Sequence, residues 1–101
     1  MSVEYSIIAI ALLDLYVKNN YEMKKVLKFE KEDCNPCVLV SDFLNKNEIV
    51  FDKIDAYNQP EMAMKFKVRS VPTTLLLNDD EVLLKVVGYK PEELNQIKNL
   101  L

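Results

Sequence analysis

The spacing of hydrophobic and polar positions changes several times along the chain, and each spacing predicts one type of element. Residues 6–20 are rich in Ala, Leu and Ile and end at two asparagines, which predicts a helix. Residues 25–30 (KVLKFE) alternate between polar and apolar side chains and predict a strand. Residues 34–46 carry Pro36 in the first turn and then apolar residues at helical spacing, which predicts a helix that begins at Cys34.

The middle of the chain continues this alternation of strands and helices. Residues 49–55 (IVFDKID) predict another strand. Asn58, Pro60 and Glu61 have the order of a helix cap, a first-turn proline and a capping-box acid. They predict a short helix over residues 62–67.

The last third of the chain predicts a hairpin and a helix. Residues 73–77 (TTLLL) and 82–87 (VLLKVV) are apolar strands, and the polar residues 78–81 between them have the length of a hairpin turn. Pro91 and two acids then open a terminal helix. Its apolar stripe consists of Leu94, Ile97, Leu100 and Leu101.

The element order αβαβαββα predicts an α/β protein with a mixed sheet of four to five strands and helices on both faces. The chain has 101 residues, of which 50% are hydrophobic and 29% charged, as expected for one compact domain. It contains no repeat, no low-complexity tract and a single glycine, Gly88. Residues 1–101 are therefore predicted to form a single domain.

Charge and composition exclude several functions. The formal net charge is −3, so a general nucleic-acid binder, which needs a cationic surface, is not expected. The chain has no histidine, which excludes His-activated nucleophiles and the usual catalytic zinc sites.

The seven apolar residues 7–13 are too few to span a bilayer, which needs roughly 20. Only Glu4 is charged before them, unlike the basic start of a secretory signal. We therefore expect a buried helix, no membrane partner and a cytoplasmic location. In the cytoplasm a cysteine pair is more often redox-active or metal-binding than a permanent crosslink.

The distinctive chemistry lies in residues 33–37 (DCNPC). Cys34 precedes the first full helical turn, where free N–H groups and the helix dipole favour an exposed, nucleophilic thiolate. Cys37 shares a helix face with Val40 and Leu44 and should point inward. Dithiol exchange needs this asymmetry, because one thiolate attacks a substrate disulfide and a sheltered neighbour resolves the mixed disulfide.

Two other roles for the cysteines stay open at this point. A zinc site would need a second pair of ligands, which this chain supplies only by dimerising. Two inert buried cysteines are also possible, although they have no obvious reason to prefer this spacing at the junction of a strand and a helix.

The chain resembles the thioredoxin family nearly from end to end. The resemblance rests on an apolar strand followed by Cys34-Asn35-Pro36-Cys37 on a helix, on the segment Val71-Pro72-Thr73-Thr74 that opens the next-to-last strand, and on Gly88 after the last strand. It implies a thioredoxin-like fold and reduction of protein disulfides through Cys34 and Cys37.

The resemblance also implies how substrates and partners are met. It implies that Pro72 is a cis-proline that faces the cysteines. It also implies that the backbone of Val71 forms hydrogen bonds with an extended substrate peptide. Asn35 and Pro36 are the other expected substrate contacts. A simple proline at a strand entry is the alternative for Pro72.

No metal and no cofactor are expected beyond the Cys34–Cys37 disulfide. The implied partners are disulfide substrates such as ribonucleotide reductase or peroxidases, and a thioredoxin reductase-like electron donor, with the chain acting as a monomer.

Two positions beside the cysteines depart from the common thioredoxin pattern. Asp33 stands where tryptophan is common, and Asn35 where glycine is common. The Asp33 carboxylate should oppose a thiolate at Cys34 by like-charge repulsion. A weakly stabilised thiolate favours a reductant over an oxidant, and partner recognition is expected to differ from that of common thioredoxins.

A third departure lies in the first predicted strand. Many thioredoxins carry a buried carboxylate six residues before the first cysteine, and here that position is Lys28. A buried Lys28 could act as a base instead, with Asp52 as a possible partner, or it could be a surface lysine.

Two alternative functions remain beside the reductase. One is a non-catalytic adaptor that binds a partner through the surface around Asn35, Val71, Pro72 and Gly88. The other is a glutaredoxin-like reductant that uses glutathione, since the sheet order is similar; the long N-terminal helix favours the thioredoxin arrangement.

Overall fold

The computed structural model describes residues 23–101, so the helix predicted over residues 6–20, and any strand before it, lie outside the described residues. The elements follow the predicted order of strands and helices. They are β1 (Lys24–Glu30), α1 (Asn35–Lys46), β2 (Asp52–Asp55), α2 (Pro60–Lys65), β3 (Thr73–Asn78), β4 (Glu81–Val87) and α3 (Pro91–Leu100).

The strands form one mixed sheet in the order β2-β1-β3-β4. β1 and β2 are parallel, whereas β1 with β3 and β3 with β4 are antiparallel. The parallel pair needs a crossover connection, which α1 supplies, and the β3–β4 pair needs only a tight turn. The predicted mixed α/β sheet is confirmed, with four strands among residues 23–101.

Alternating side chains of the strands pack into two hydrophobic clusters, one on each face of the sheet. α1 and α3 cover one face and α2 covers the other. The first cluster contains Val26, Val40, Leu44, Ile49, Leu76, Val86, Leu94 and Ile97. The second contains Leu27, Phe29, Ile54, Phe66, Leu75 and Leu77. Helices on both faces are therefore confirmed.

The second strand is shorter than predicted, because β2 begins at Asp52 rather than at residue 49. Ile49 is apolar for a different reason. Its N–H donates to the Leu44 carbonyl at 2.9 Å, and Glu48 before it adopts a left-handed φ of 57°. Ile49 thus folds back under the end of α1 and packs in the core, as residues that follow a helix often do.

The start of α2 differs from its prediction. The N-cap is Gln59, which makes no side-chain capping bond, and the helix spans Pro60–Lys65 rather than residues 62–67. The predicted cap Asn58 is wrong, because its backbone N–H donates instead to Asp55 Oδ1 at 3.1 Å. Pro60 opens the helix because its missing N–H leaves one unpaired donor fewer in the first turn.

The hairpin turn is tighter than predicted. β3 extends to Asn78 and β4 begins at Glu81, which leaves two residues in the turn. Asp79 adopts a left-handed φ of 55°, a conformation that Asp tolerates better than most residues. Within residues 23–101, no helix is long and apolar enough to cross a membrane.

Candidate active site at one end of the sheet

Three chain segments meet at one end of the sheet. β1 ends at Glu30 and leads through a turn to Cys34, while Phe29 pairs with Thr73 at the start of β3. Pro72 therefore lies at the same end as the cysteines. The Gly88 N–H, just after β4, donates to the Pro72 carbonyl at 2.7 Å. The topology thus brings Pro72 and Gly88 to the end of the sheet that carries Cys34, although they follow it by 38 and 54 positions in the sequence.

The start of α1 positions the cysteine pair. Cys34 is the N-cap residue with an extended backbone (φ −119°, ψ 101°), and Pro36 lies in the first turn. The Cys37 N–H donates to Cys34 Sγ at 3.2 Å. A sulfur at this position accepts from an N–H group that has no partner within the helix and lies at the positive end of the helix dipole.

Cys34 and Cys37 form a disulfide, with an S–S distance of 2.13 Å and a Cα–Cα distance of 5.2 Å. Cys37 points inward as predicted and is 3% exposed. Cys34 is less accessible than predicted, with 9% exposure, because its sulfur lies over the first turn of α1 and is bonded to Cys37. Asn35 and Pro36 between them are exposed.

The Val71–Pro72 peptide bond is cis, as the resemblance implied. Pro72 is buried, and Val71 before it is half-buried. The Thr73 hydroxyl donates to the Ser70 carbonyl at 2.7 Å and closes the turn that precedes β3. Both residues thus stand at the end of the sheet that carries the cysteines, and their contact with substrate remains a prediction.

Lys28 is buried, with 1% exposure, so the interpretation as a surface lysine is wrong. Its Nζ donates to Glu30 Oε1 at 2.7 Å and to Ser41 Oγ at 2.5 Å. The predicted partnership with Asp52 is also wrong, because Asp52 lies 3.8 Å from Lys25 Nζ instead. The alternation of β1 explains the burial, since Lys28 follows Val26 on the face that α1 covers.

Sequence reasoning missed the partners of Lys28. Ser41 follows Cys37 by four residues on α1 and so lies one turn along the same helix face. Glu30 follows Lys28 by two residues and so shares its face of β1. Both spacings are visible in the sequence and carry meaning once Lys28 is known to be buried.

The surroundings of Cys34 are acidic. Glu32 and Asp33 are exposed in the turn between β1 and α1, and Asp33 has a left-handed φ of 54°. Beyond Val71, an open groove of about 380 Å³ is bordered by Lys31, Tyr57 and Arg69. Among residues 23–101, no group of three or more Cys, Asp or Glu side chains has the arrangement of a metal site.

Comparison with known proteins gives a consistent family assignment. The sequence profile described as Thioredoxin matches residues 11–99. The SPbeta prophage-derived thioredoxin-like protein YosR of Bacillus subtilis is 40% identical over 74 residues, which cover 72% of this chain and 92% of that protein. The thioredoxin of Staphylococcus haemolyticus is 33% identical over 75 residues, covering 68% of this chain and 72% of that protein.

Solved structures agree with this assignment. Thioredoxin NaTrxh from Nicotiana alata matches with a TM-score of 0.68 at 28% identity, covering 91% of this chain and 84% of that chain. Oxidised mitochondrial thioredoxin 3 from Saccharomyces cerevisiae matches with a TM-score of 0.67 at 26% identity, covering 87% and 89%. Together with the disulfide between Cys34 and Cys37, these matches show that the chain belongs to the thioredoxin family of thiol–disulfide oxidoreductases.

Proposed function

We propose that this protein reduces disulfides in other proteins, with Cys34 as the attacking thiolate and Cys37 as the resolving thiol. The observation that carries the proposal is the hydrogen bond from the Cys37 N–H to Cys34 Sγ at the start of α1. A donor at this distance stabilises negative charge on Cys34 in the reduced protein. Cys37, buried on the inner side, then displaces the substrate sulfur and re-forms the disulfide.

The direction of transfer is proposed from the charges around Cys34. The carboxylates of Glu32 and Asp33 oppose the stabilising effect of the helix start, because like charges destabilise a thiolate. A less stabilised thiolate makes the dithiol form a stronger reductant. Pro36 between the cysteines supports the same direction, since reducing members of the family carry proline there.

The proposed substrate contacts lie on the same surface, and the proposed partners come from the family. We assign peptide binding to Asn35 and Pro36, which lie between the cysteines, and to Val71 and Pro72, which precede β3 at the same end of the sheet. A solved structure with a TM-score of 0.66 and 26% identity concerns the resolution of a thiol in a yeast mitochondrial 1-Cys peroxiredoxin by glutathione and thioredoxin systems. Peroxidases and ribonucleotide reductase are the proposed substrates, and a thioredoxin reductase-like protein is the proposed electron donor, for a monomer that acts in the cytoplasm.

The redox potential of the cysteine pair tests the proposal. The protein is equilibrated in graded dithiol buffers, and free thiols are trapped and counted by mass. We expect a potential near or below about −230 mV, as for cytosolic reductants. A value above about −180 mV would identify an oxidant or isomerase, and failure to form the disulfide at any poise would exclude an oxidoreductase.

Replacing Asp33 with Asn should make the potential less negative, on the order of 10–20 mV, and speed the attack of Cys34 on a model disulfide. The variant removes a negative charge beside Cys34 and keeps a residue that tolerates the left-handed backbone. Asp79→Asn is the matched control, since Asp79 has φ 55° but lies in the turn at the far end of the sheet. Equal shifts in both variants would show that the effect is not local to Cys34.

A further inference from the structure

The sheet face under α1 buries two polar side chains, Lys28 and Thr74, and with Ser41 of α1 they form what we call the polar pocket. Lys28 and Thr74 are register partners on neighbouring strands and are both buried. Along the same face, Val26 and Leu76 lie two residues away in the apolar core. Burying a charged and a hydroxyl side chain costs stability unless they are partnered, so this pocket is unlike the rest of the core.

The polar pocket is linked to the resolving cysteine through α1. Ser41 Oγ, which accepts from Lys28 Nζ at 2.5 Å, is four residues beyond Cys37 on the inner face of α1. Side chains at this spacing have Cβ atoms about 5–6 Å apart. The Lys28 ammonium is therefore bonded to the residue that lies one helical turn from Cys37 on the same face of α1.

Two donors in the pocket have no acceptor among residues 23–101. The Lys28 ammonium has three N–H groups and uses two of them, toward Ser41 and Glu30. Thr74 Oγ1 is fully buried and hydrogen-bonds to no group in that part of the chain. Unpaired buried donors of this kind are suited to an anion that forms transiently.

The other charged groups on this face are farther from Cys37 or more exposed. On β1, Glu30 forms an ion pair with Lys28 and is partly open to solvent. From β2, Lys53 is paired with Lys28 and Asp55 with Glu30 in the sheet register. Lys53 is exposed, and Asp55 accepts from the Tyr57 and Asn58 N–H groups. On α1, Asp42 is exposed.

We propose that the Lys28 ammonium, anchored by Ser41 and Glu30, stabilises the Cys37 thiolate electrostatically and so speeds release of substrate from the mixed disulfide. This inference rests on the proposed function. In the release step, the Cys37 thiol gives its proton to solvent and its sulfur attacks Cys34 Sγ. The Cys34–Cys37 bond forms, the bond from Cys34 to the substrate sulfur breaks, and the substrate leaves as a thiolate that takes up a proton.

Substitutions of Lys28 and Glu30 are expected to shift the equilibrium between dithiol and disulfide in opposite directions. Lys28→Met removes the positive charge, which destabilises the thiolate and shifts the cysteine pair toward the disulfide. Glu30→Gln leaves the positive charge unneutralised and shifts the pair toward the dithiol. The expected change in the equilibrium constant against a reference dithiol is about three- to tenfold in each direction. A purely structural role would not move the two variants in opposite directions.

The experiment measures this equilibrium constant and the decay of a mixed disulfide with a thionitrobenzoate probe over a range of pH. Lys28→Met should slow the decay about three- to tenfold at neutral pH, with a smaller difference at higher pH, where Cys37 ionises without help. Lys28→Arg should restore most of the rate because it keeps the charge. Lys25→Met is the matched control, since Lys25 is an exposed lysine on the same strand.

A buried charge left alone often unfolds a protein, so the double variant of Lys28→Met and Glu30→Gln is the second test. It removes the pair together and should still favour the disulfide, because the lost ammonium is bonded to Ser41 on the helix face of Cys37, whereas Glu30 is partly open to solvent. Unchanged equilibrium and decay in folded Lys28→Met or in the double variant would overturn this inference. Failure of the unaltered protein to cycle between dithiol and disulfide would instead overturn the proposed function.

Discussion

Replacing Cys34 with Ser is expected to abolish disulfide reduction, with a loss of at least about a thousandfold in turnover, because a hydroxyl in place of the attacking thiolate is a far weaker nucleophile at neutral pH. Replacing Cys37 with Ser should also stop turnover, but at a later stage. Cys34 still attacks the substrate, and the mixed disulfide then persists because no thiol remains to resolve it. The two variants are thus expected to stop at different steps, which can be distinguished.

Turnover of a protein disulfide and trapping of the substrate on a non-reducing gel measure both outcomes. The double variant that lacks both thiols is the control for non-covalent binding. Stable trapping by Cys34→Ser rather than by Cys37→Ser would invert the assigned roles. If the double variant kept the full biological effect of the unaltered protein, the adaptor function would be favoured, because an adaptor needs the binding surface and not the sulfurs.

Replacing Leu44 with Ala should lower the free energy of unfolding by about 3 kcal/mol, within the range of about 2–5 kcal/mol for buried leucines. Leu44 is completely buried between α1 and the sheet, where it packs with Val26 and Leu76. The substitution leaves a cavity under the helix whose first turn carries both cysteines. A loss of this size is a large part of the stability of a small domain.

Urea unfolding of the oxidised protein measures this loss, and Leu39→Ala is the matched control. Leu39 lies on the same helix but is 47% exposed, so its truncation should cost less than about 1 kcal/mol. Equal losses in the two variants would show that Leu44 does not have the core position described above. Because the disulfide lies within one turn of α1, it is present in both variants and does not bias the comparison.

Most of the element order could be predicted from the chain because each element carries its own local signal. The alternation in β1, Pro36 and Pro91 in first helical turns, and the polar residues between β3 and β4 act over a few residues. Errors fell where tertiary packing overrode the local pattern. Ile49 has the side chain of a strand residue but packs under the end of α1, and Asn58 resembles a cap but lies in the turn that Asp55 organises.

The sequence by itself determined the chemistry of this protein. Two cysteines at the start of a helix, with proline between them and no histidine in the chain, predict sulfur exchange at this site. Resemblance to a family added the expectation for Pro72. These conclusions rest on residue type and short spacing, which are properties of the chain before it folds.

Only the tertiary structure decided what surrounds the sulfurs. It places Pro72 and Gly88 at the end of the sheet that carries the cysteines, and it buries Lys28 with Glu30 and Ser41 rather than with Asp52. The physical reason is that a strand pattern shows which residues share a face but not which neighbour covers that face. Strand order and helix docking supply that neighbour, and they set the charges that act on Cys37.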